Sequence, residues 1–145
     1  MLAIILNGCK EDSDTEKPVI KLEEPAEGDT LQIGGDHGVH FEAEFSDNEA
    51  LASYKVDIHH NFDGHTHAMR SSAETGETVD FEFNRSWAIS GRNVPIHHHE
   101  ITIPENAPPG DYHLMVYCTD AAGNESYIAV NVVLSHEAGD DHDDE

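Results

Sequence analysis

Apolar and polar residues alternate along most of this chain with a period of two. Val39, Phe41, Ala43 and Phe45 alternate with His40, Glu42 and Glu44, the pattern of a strand with one face in a core and one in water. Leu51 to His60 repeats it: Tyr54, Val56 and Ile58 share one face, Lys55 and Asp57 the other. By that parity His60 points with Ile58, and His59 points to solvent. Val79, Phe81 and Phe83 form a further alternating set, which Trp87-Ala88-Ile89 extends or covers at its end. Ile96 to Ile103 reads as a strand with Ile101 and Ile103 inward. Tyr112, Leu114, Val116 and Cys118 alternate cleanly, as do Ile128, Val130, Val132 and Leu134. A shorter strand is carried by Val19, Ile20 and Leu22.

Turn signals separate these runs: Gly28-Asp29, Gly34-Gly35, Ser46 to Glu49, Ser90 to Asn93 and the tight Asp120 to Asn124. Pro104 to Gly110 reads as a rigid connection. No stretch has helical periodicity. About seven short strands at this spacing predict an all-β chain, an antiparallel β-sandwich.

A length of 145 residues suits one domain. Residues 1–9 are a short apolar run ending in Leu6-Asn7-Gly8-Cys9. That ending resembles the lipobox of bacterial lipoproteins, in which the cysteine is lipidated. A basic segment before the apolar run is missing, so the natural start is expected further upstream. Residues 10–17 are polar and charged and read as a disordered tether. The sandwich is expected over 18–135, and residues 136–145 read as a disordered acidic tail that also carries His136 and His142.

The formal net charge is −23, from 30 acidic and 7 basic residues. Such a field repels nucleic acid and anionic lipid head groups and gathers cations, which argues against nucleic-acid binding. Of the two cysteines, Cys9 belongs to the lipobox. Cys118 is then without a disulfide partner, and its strand position makes it a small buried hydrophobe.

The second half carries a resemblance. Ile101-Thr-Ile-Pro104, Ala107-Pro-Pro-Gly110-Asp-Tyr112 and Thr119-Asp-Ala-Ala-Gly-Asn124-Glu-Ser126 resemble the last three strands of bacterial immunoglobulin-like domains. The whole chain, from the lipobox through Asp63-Gly-His-Thr-His67, resembles a Bacteroidetes lipoprotein family known as domain of unknown function 4625. The resemblance implies an immunoglobulin-like sandwich anchored through lipid on Cys9 in the bacterial cell envelope, on the periplasmic or surface face of the outer membrane. It implies no activity, because this architecture hosts many.

The histidines supply the candidate chemistry. Asp57 to His67 holds four of the twelve, and His97-His98-His99 is a second knot. Neutral imidazole is a borderline-soft ligand suited to zinc and copper. His65 and His67 are two apart, so in extended backbone they project to one side, roughly 7 Å apart at Cα. His97 and His99 do the same. Two such pairs could close a tetrahedral site, with His60 able to replace one member. His59 and His98 have the opposite parity and would support a ring or stay solvated. Asp57 or Asp63 could add a carboxylate or orient a ring nitrogen. His37, His40 and His113 read as ordinary solvent-facing histidines. No His-Glu-x-x-His and no Ser-His-Asp set is legible, and the expectation is a binding protein rather than an enzyme. Its partner would be a divalent metal ion, zinc or copper, captured, buffered or delivered to an envelope transporter or receptor. The competing expectation is a module for a protein or glycan partner, with histidines merely lining a loop.

Overall fold

The computed structural model describes residues 14–61 and 80–137. Its strands, in chain order, are β1 (Val19–Glu24), β2 (Thr30–Gln32), β3 (Val39–Ser46), β4 (Leu51–His60), β5 (Phe83–Ala88), β6 (Asn93–Ile101), β7 (Gly110–Asp120) and β8 (Glu125–Ser135). They form two sheets, β1-β3-β6 and β2-β8-β7-β4-β5. All pairings are antiparallel except β2 with β8.

The alternation explains why the sheets close on each other. Phe41, Ala43, Phe45 and Ile101 are buried on the three-stranded sheet. Tyr54, Val56, Ile58, Leu114, Val116, Cys118, Val132 and Leu134 are buried on the five-stranded one. Phe45 stacks on Tyr54 across the interior at 4.8 Å between ring centroids. This is a β-sandwich of the immunoglobulin-like kind. The Tyr112 hydroxyl donates to the Pro108 carbonyl at 2.8 Å, the corner that ties the connection before β7 to the strand in such domains. Cys118 lies in the core as a free thiol.

The described residues form eight strands rather than about seven. The extra one, β2, is three residues long with only Leu31 buried, too short to show alternation. It is fixed instead by parallel pairing with Val133 to Ser135. Of the run expected from Val79, which itself lies outside the described residues, residues 80–82 are not strand and β5 begins at Phe83, although Phe81 is buried and packs 6.1 Å from the Tyr112 ring. The stretch expected as a free tether is docked from Asp14 onward. The Asn124 side-chain amide donates to the carbonyls of Asp14 (3.0 Å) and Glu16 (3.3 Å), and the Ser126 hydroxyl donates to that of Pro18 (2.6 Å). The polar groups of the lead-in thus find partners on the β7–β8 turn, which composition could not reveal.

Candidate metal centre

The outer face of the three-stranded sheet is built by the same alternation that builds the core. On β3 the exposed residues are His40, Glu42 and Glu44; on β6 they include His97 and His99. Register sets them side by side. Glu42 pairs with His97 and Phe41 with His98, but Val39 pairs with Ile101. Three β6 steps therefore answer two on β3, so β6 bulges at His99 and Glu100, opposite His40. A bulge re-aims the side chains it carries. Here the ring centroids of His40 and His97 are 4.6 Å apart, those of His40 and His99 5.0 Å, and those of His97 and His99 5.5 Å. One ligand atom from each lies within 4.8 Å of the others.

Gly38 makes the bulge possible. It sits at φ +76°, and a Cβ there would lie 2.1 Å from the His99 carbonyl oxygen and 3.2 Å from that of Ile101. Only a residue without a side chain allows the bulged backbone to come so close.

Three nitrogens at about 2.0–2.1 Å from one tetrahedral ion lie roughly 3.4 Å from each other. Reaching that from within 4.8 Å takes side-chain rotation alone, which exposed imidazoles on a strand can make. Carboxylates stand beside them: Glu42 Oε1 is 3.3 Å from His40 Nε2, and Glu24 Oε1 is 3.9 Å from it. Either could complete the ligand set or hold a ring in orientation. A shallow groove lined by Glu23, Glu42, Glu44, Pro95, Ile96 and His97 runs alongside, giving a cation an acidic approach. The His99 imidazole is held below its usual pKa, first by partial burial and then by the neighbouring His40, His97 and His37 rings. Close imidazoles resist protonating together, so His99 favours the neutral form that ligates metal.

His98 has a different job. It points toward the interior, stacking on Phe41 (5.1 Å) and lying against Trp87 (4.8 Å). The Glu100 backbone N–H donates to its Nδ1 at 3.1 Å. The neutral ring then carries its proton on Nε2, which faces the Tyr54 hydroxyl at 3.0 Å and donates to it. Burial above all holds this imidazole below its usual pKa; Arg85 and the flanking histidines push the same way, and the Glu100 charge opposes them. Glu100 is itself engaged: the Trp87 indole N–H donates to it at 2.9 Å and Arg85 pairs with it at 3.2 Å.

The remaining candidates are dispersed. His60 belongs to β4 in the other sheet and lies edge-on near buried Tyr112, with centroids 6.3 Å apart. Its inward parity keeps it on the core side of the five-stranded sheet. The rings of His97 and His99 leave the outer side of the opposite sheet, so the structure does not bring His60 to them. Asp57 and His59 lie on the outer face of the five-stranded sheet, where the His59 Nδ1–H donates to Asp57 at 2.8 Å and Asn84 donates to the same carboxylate at 2.7 Å. His113 lies beside His59, ring centroids 5.5 Å apart. His65, His67, Asp63 and Cys9 lie outside the described residues. The residue that spacing passes over is His40. Its outward parity is legible; its position beside β6 follows only from the β3–β6 pairing.

An immunoglobulin-like sandwich carrying a surface histidine cluster is the class that fold and site define. A family model described as a domain of unknown function, DUF4625, matches residues 7–135, and the chain belongs to that family. No curated protein matches the sequence.

Proposed function

We propose that this chain is a lipid-anchored protein of the bacterial cell envelope that captures a divalent transition metal, zinc or copper, for buffering or for delivery to a transporter or receptor. The observation that carries the reading is the convergence of His40, His97 and His99, with donor atoms within 4.8 Å, on an exposed acidic face. Three imidazole nitrogens and an adjacent carboxylate suit zinc or copper(II). A chain of net charge −23 raises the local concentration of any cation. Anchorage through Cys9 rests on the lipobox resemblance alone.

The test is calorimetric titration of the chelator-stripped chain with zinc and with copper, alongside His40→Ala/His97→Ala/His99→Ala. All three side chains are exposed, so the variant keeps its core. One tightly bound ion per chain, lost in the variant, supports the reading. Equal weak binding by both proteins overturns it.

A second reading, a module for a glycan or protein partner, draws on another surface. Tyr127 is 60% exposed on the five-stranded sheet, beside Tyr117 at 5.6 Å, over which the Lys55 ammonium sits at 4.4 Å. Exposed aromatics of this kind stack on sugar faces or anchor protein contacts. Retention of the chain on immobilised envelope polysaccharide, abolished by Tyr127→Ala, would favour it.

A further inference from the structure

At the end of the sandwich where the chain enters β1, three carboxylates converge from separate segments. Asp14 comes from the lead-in, Asp47 from the turn after β3, and Asp120 from the end of β7. One oxygen of each lies within 4.8 Å of the others. Asp47 is 8% exposed and Asp120 1%.

Part of this carboxylate capacity is used by the turns. Asp47 Oδ2 accepts from the backbone N–H groups of Glu49 (2.9 Å) and Ala50 (3.0 Å). Asp120 Oδ1 accepts from those of Ala122 (3.0 Å) and Asn124 (2.8 Å), and its Oδ2 accepts from the Asn124 amide at 2.9 Å. Asp14 Oδ1 accepts from the Glu16 N–H at 3.0 Å. Two oxygens remain. Asp47 Oδ1 and Asp14 Oδ2 are shut off from solvent, and no donor among the described residues reaches either. Among the described residues, the ion pairs of lysine, arginine and histidine go to other carboxylates.

A buried carboxylate oxygen without a donor is costly, and three mutually close carboxylates repel. A cation held between the carboxylates would relieve both.

We infer that Asp14, Asp47 and Asp120 bind a hard divalent cation, calcium above all, and that the ion pins the lead-in segment to the sandwich. The donors are all oxygen, as calcium requires and as zinc or copper sites seldom are. Two oxygens on one calcium ion at about 2.4 Å lie at most roughly 4.8 Å apart, a limit that each pair of these carboxylates meets, and small side-chain shifts bring all three onto one ion. The smaller magnesium ion would draw them closer. Water or backbone carbonyls fill the other positions. The ion acts on the same segment that Asn124 and Ser126 already hold through the carbonyls of Asp14, Glu16 and Pro18. With calcium bound, the domain sits rigidly on its lead-in; without it, the carboxylates push Asp14 away.

The test uses the intact chain with Asp14→Asn, a variant outside every strand, and Asp120→Asn, followed in EGTA and in calcium at matched ionic strength. Calcium should raise Tm by about 5–10 °C at a hundredfold excess over Kd. It should also slow glutamyl-endopeptidase cleavage after Glu16 by at least about tenfold, because cleavage requires the segment to detach. Asp14→Asn should need at least about tenfold more calcium for both effects, since it removes one of three charges from the ligand set. Identical Tm and cleavage in EGTA and millimolar calcium would overturn the inference. So would an Asp14→Asn chain that responds at the wild-type calcium concentration.

Discussion

Replacing Gly38 by alanine probes the device that assembles the histidine face. The perturbation has two parts. Alanine at φ +76° occupies a left-handed conformation that costs an L-residue about 1–2 kcal/mol. Its Cβ would also fall 2.1 Å from the His99 carbonyl oxygen, and that neighbour is backbone inside a sheet, so relief means displacing the bulge. Moving it strains the pairing of Val39 with Ile101, whose side chain is fully buried, and adds about 1–2 kcal/mol, the usual cost of overpacking. The total is about 2–4 kcal/mol. Gly28 is the matched control: φ is +87°, yet a Cβ there would meet nothing within 4 Å, leaving only the conformational part. In urea, Gly38→Ala should lower the unfolding midpoint by about 1–2 M, and Gly28→Ala by roughly half that or less. Zinc affinity should fall in Gly38→Ala and stay at wild type in Gly28→Ala, because only the first moves His99. If the two variants are equally destabilised and bind zinc equally well, the bulge is not what positions the cluster.

Other consequences follow from the same contacts. Tyr54→Phe keeps the aromatic stack but leaves the His98 Nε2–H without its acceptor, and should cost about 1–2 kcal/mol in urea unfolding; a change below about 0.3 kcal/mol would contradict the tautomer assigned to His98. His98 and His99 both lie below the ordinary imidazole pKa in the fold, so the unfolded chain takes up their protons first as pH falls. Metal-free stability should therefore be full above about pH 6.5, decline below it and level off once the folded-state values are passed; a Tm constant from about pH 8 to about pH 5 would refute this. The Cys118 thiol is fully buried, and burial with the nearby Asp47 and Asp120 charges pushes its pKa up to about 12. Peptide mapping after alkylation at about pH 8 should find Cys118 unmodified in the native chain and modified after denaturation.

The strands are legible because this fold writes its core in period two. Phe41, Tyr54, Val56, Leu114 and Leu134 all face inward as their parity demands. What sequence does not supply is adjacency. Spacing singles out His97 and His99, and it points to another His-x-His pair as their partner. Their described companion is a single histidine 57 positions before His97, brought beside them by the β3–β6 ladder. In sequence His40 is one more outward residue, because alternation states which face a side chain takes and not what lies across the sheet. The bulge is hidden for a related reason: it exists only in the register between two strands. Asp14 and Asp47 read as solvated tether and turn residues, since nothing local to either predicts their meeting with Asp120.

The most direct test of the account is the zinc affinity of His40→Ala, measured by competition with a chromophoric chelator beside His60→Ala. If His40, His97 and His99 form the site, His40→Ala weakens binding by at least about a hundredfold, the upper end of what losing even a supporting group costs, while His60→Ala binds as wild type. Wild-type affinity in His40→Ala, or a comparable loss in His60→Ala, would contradict it.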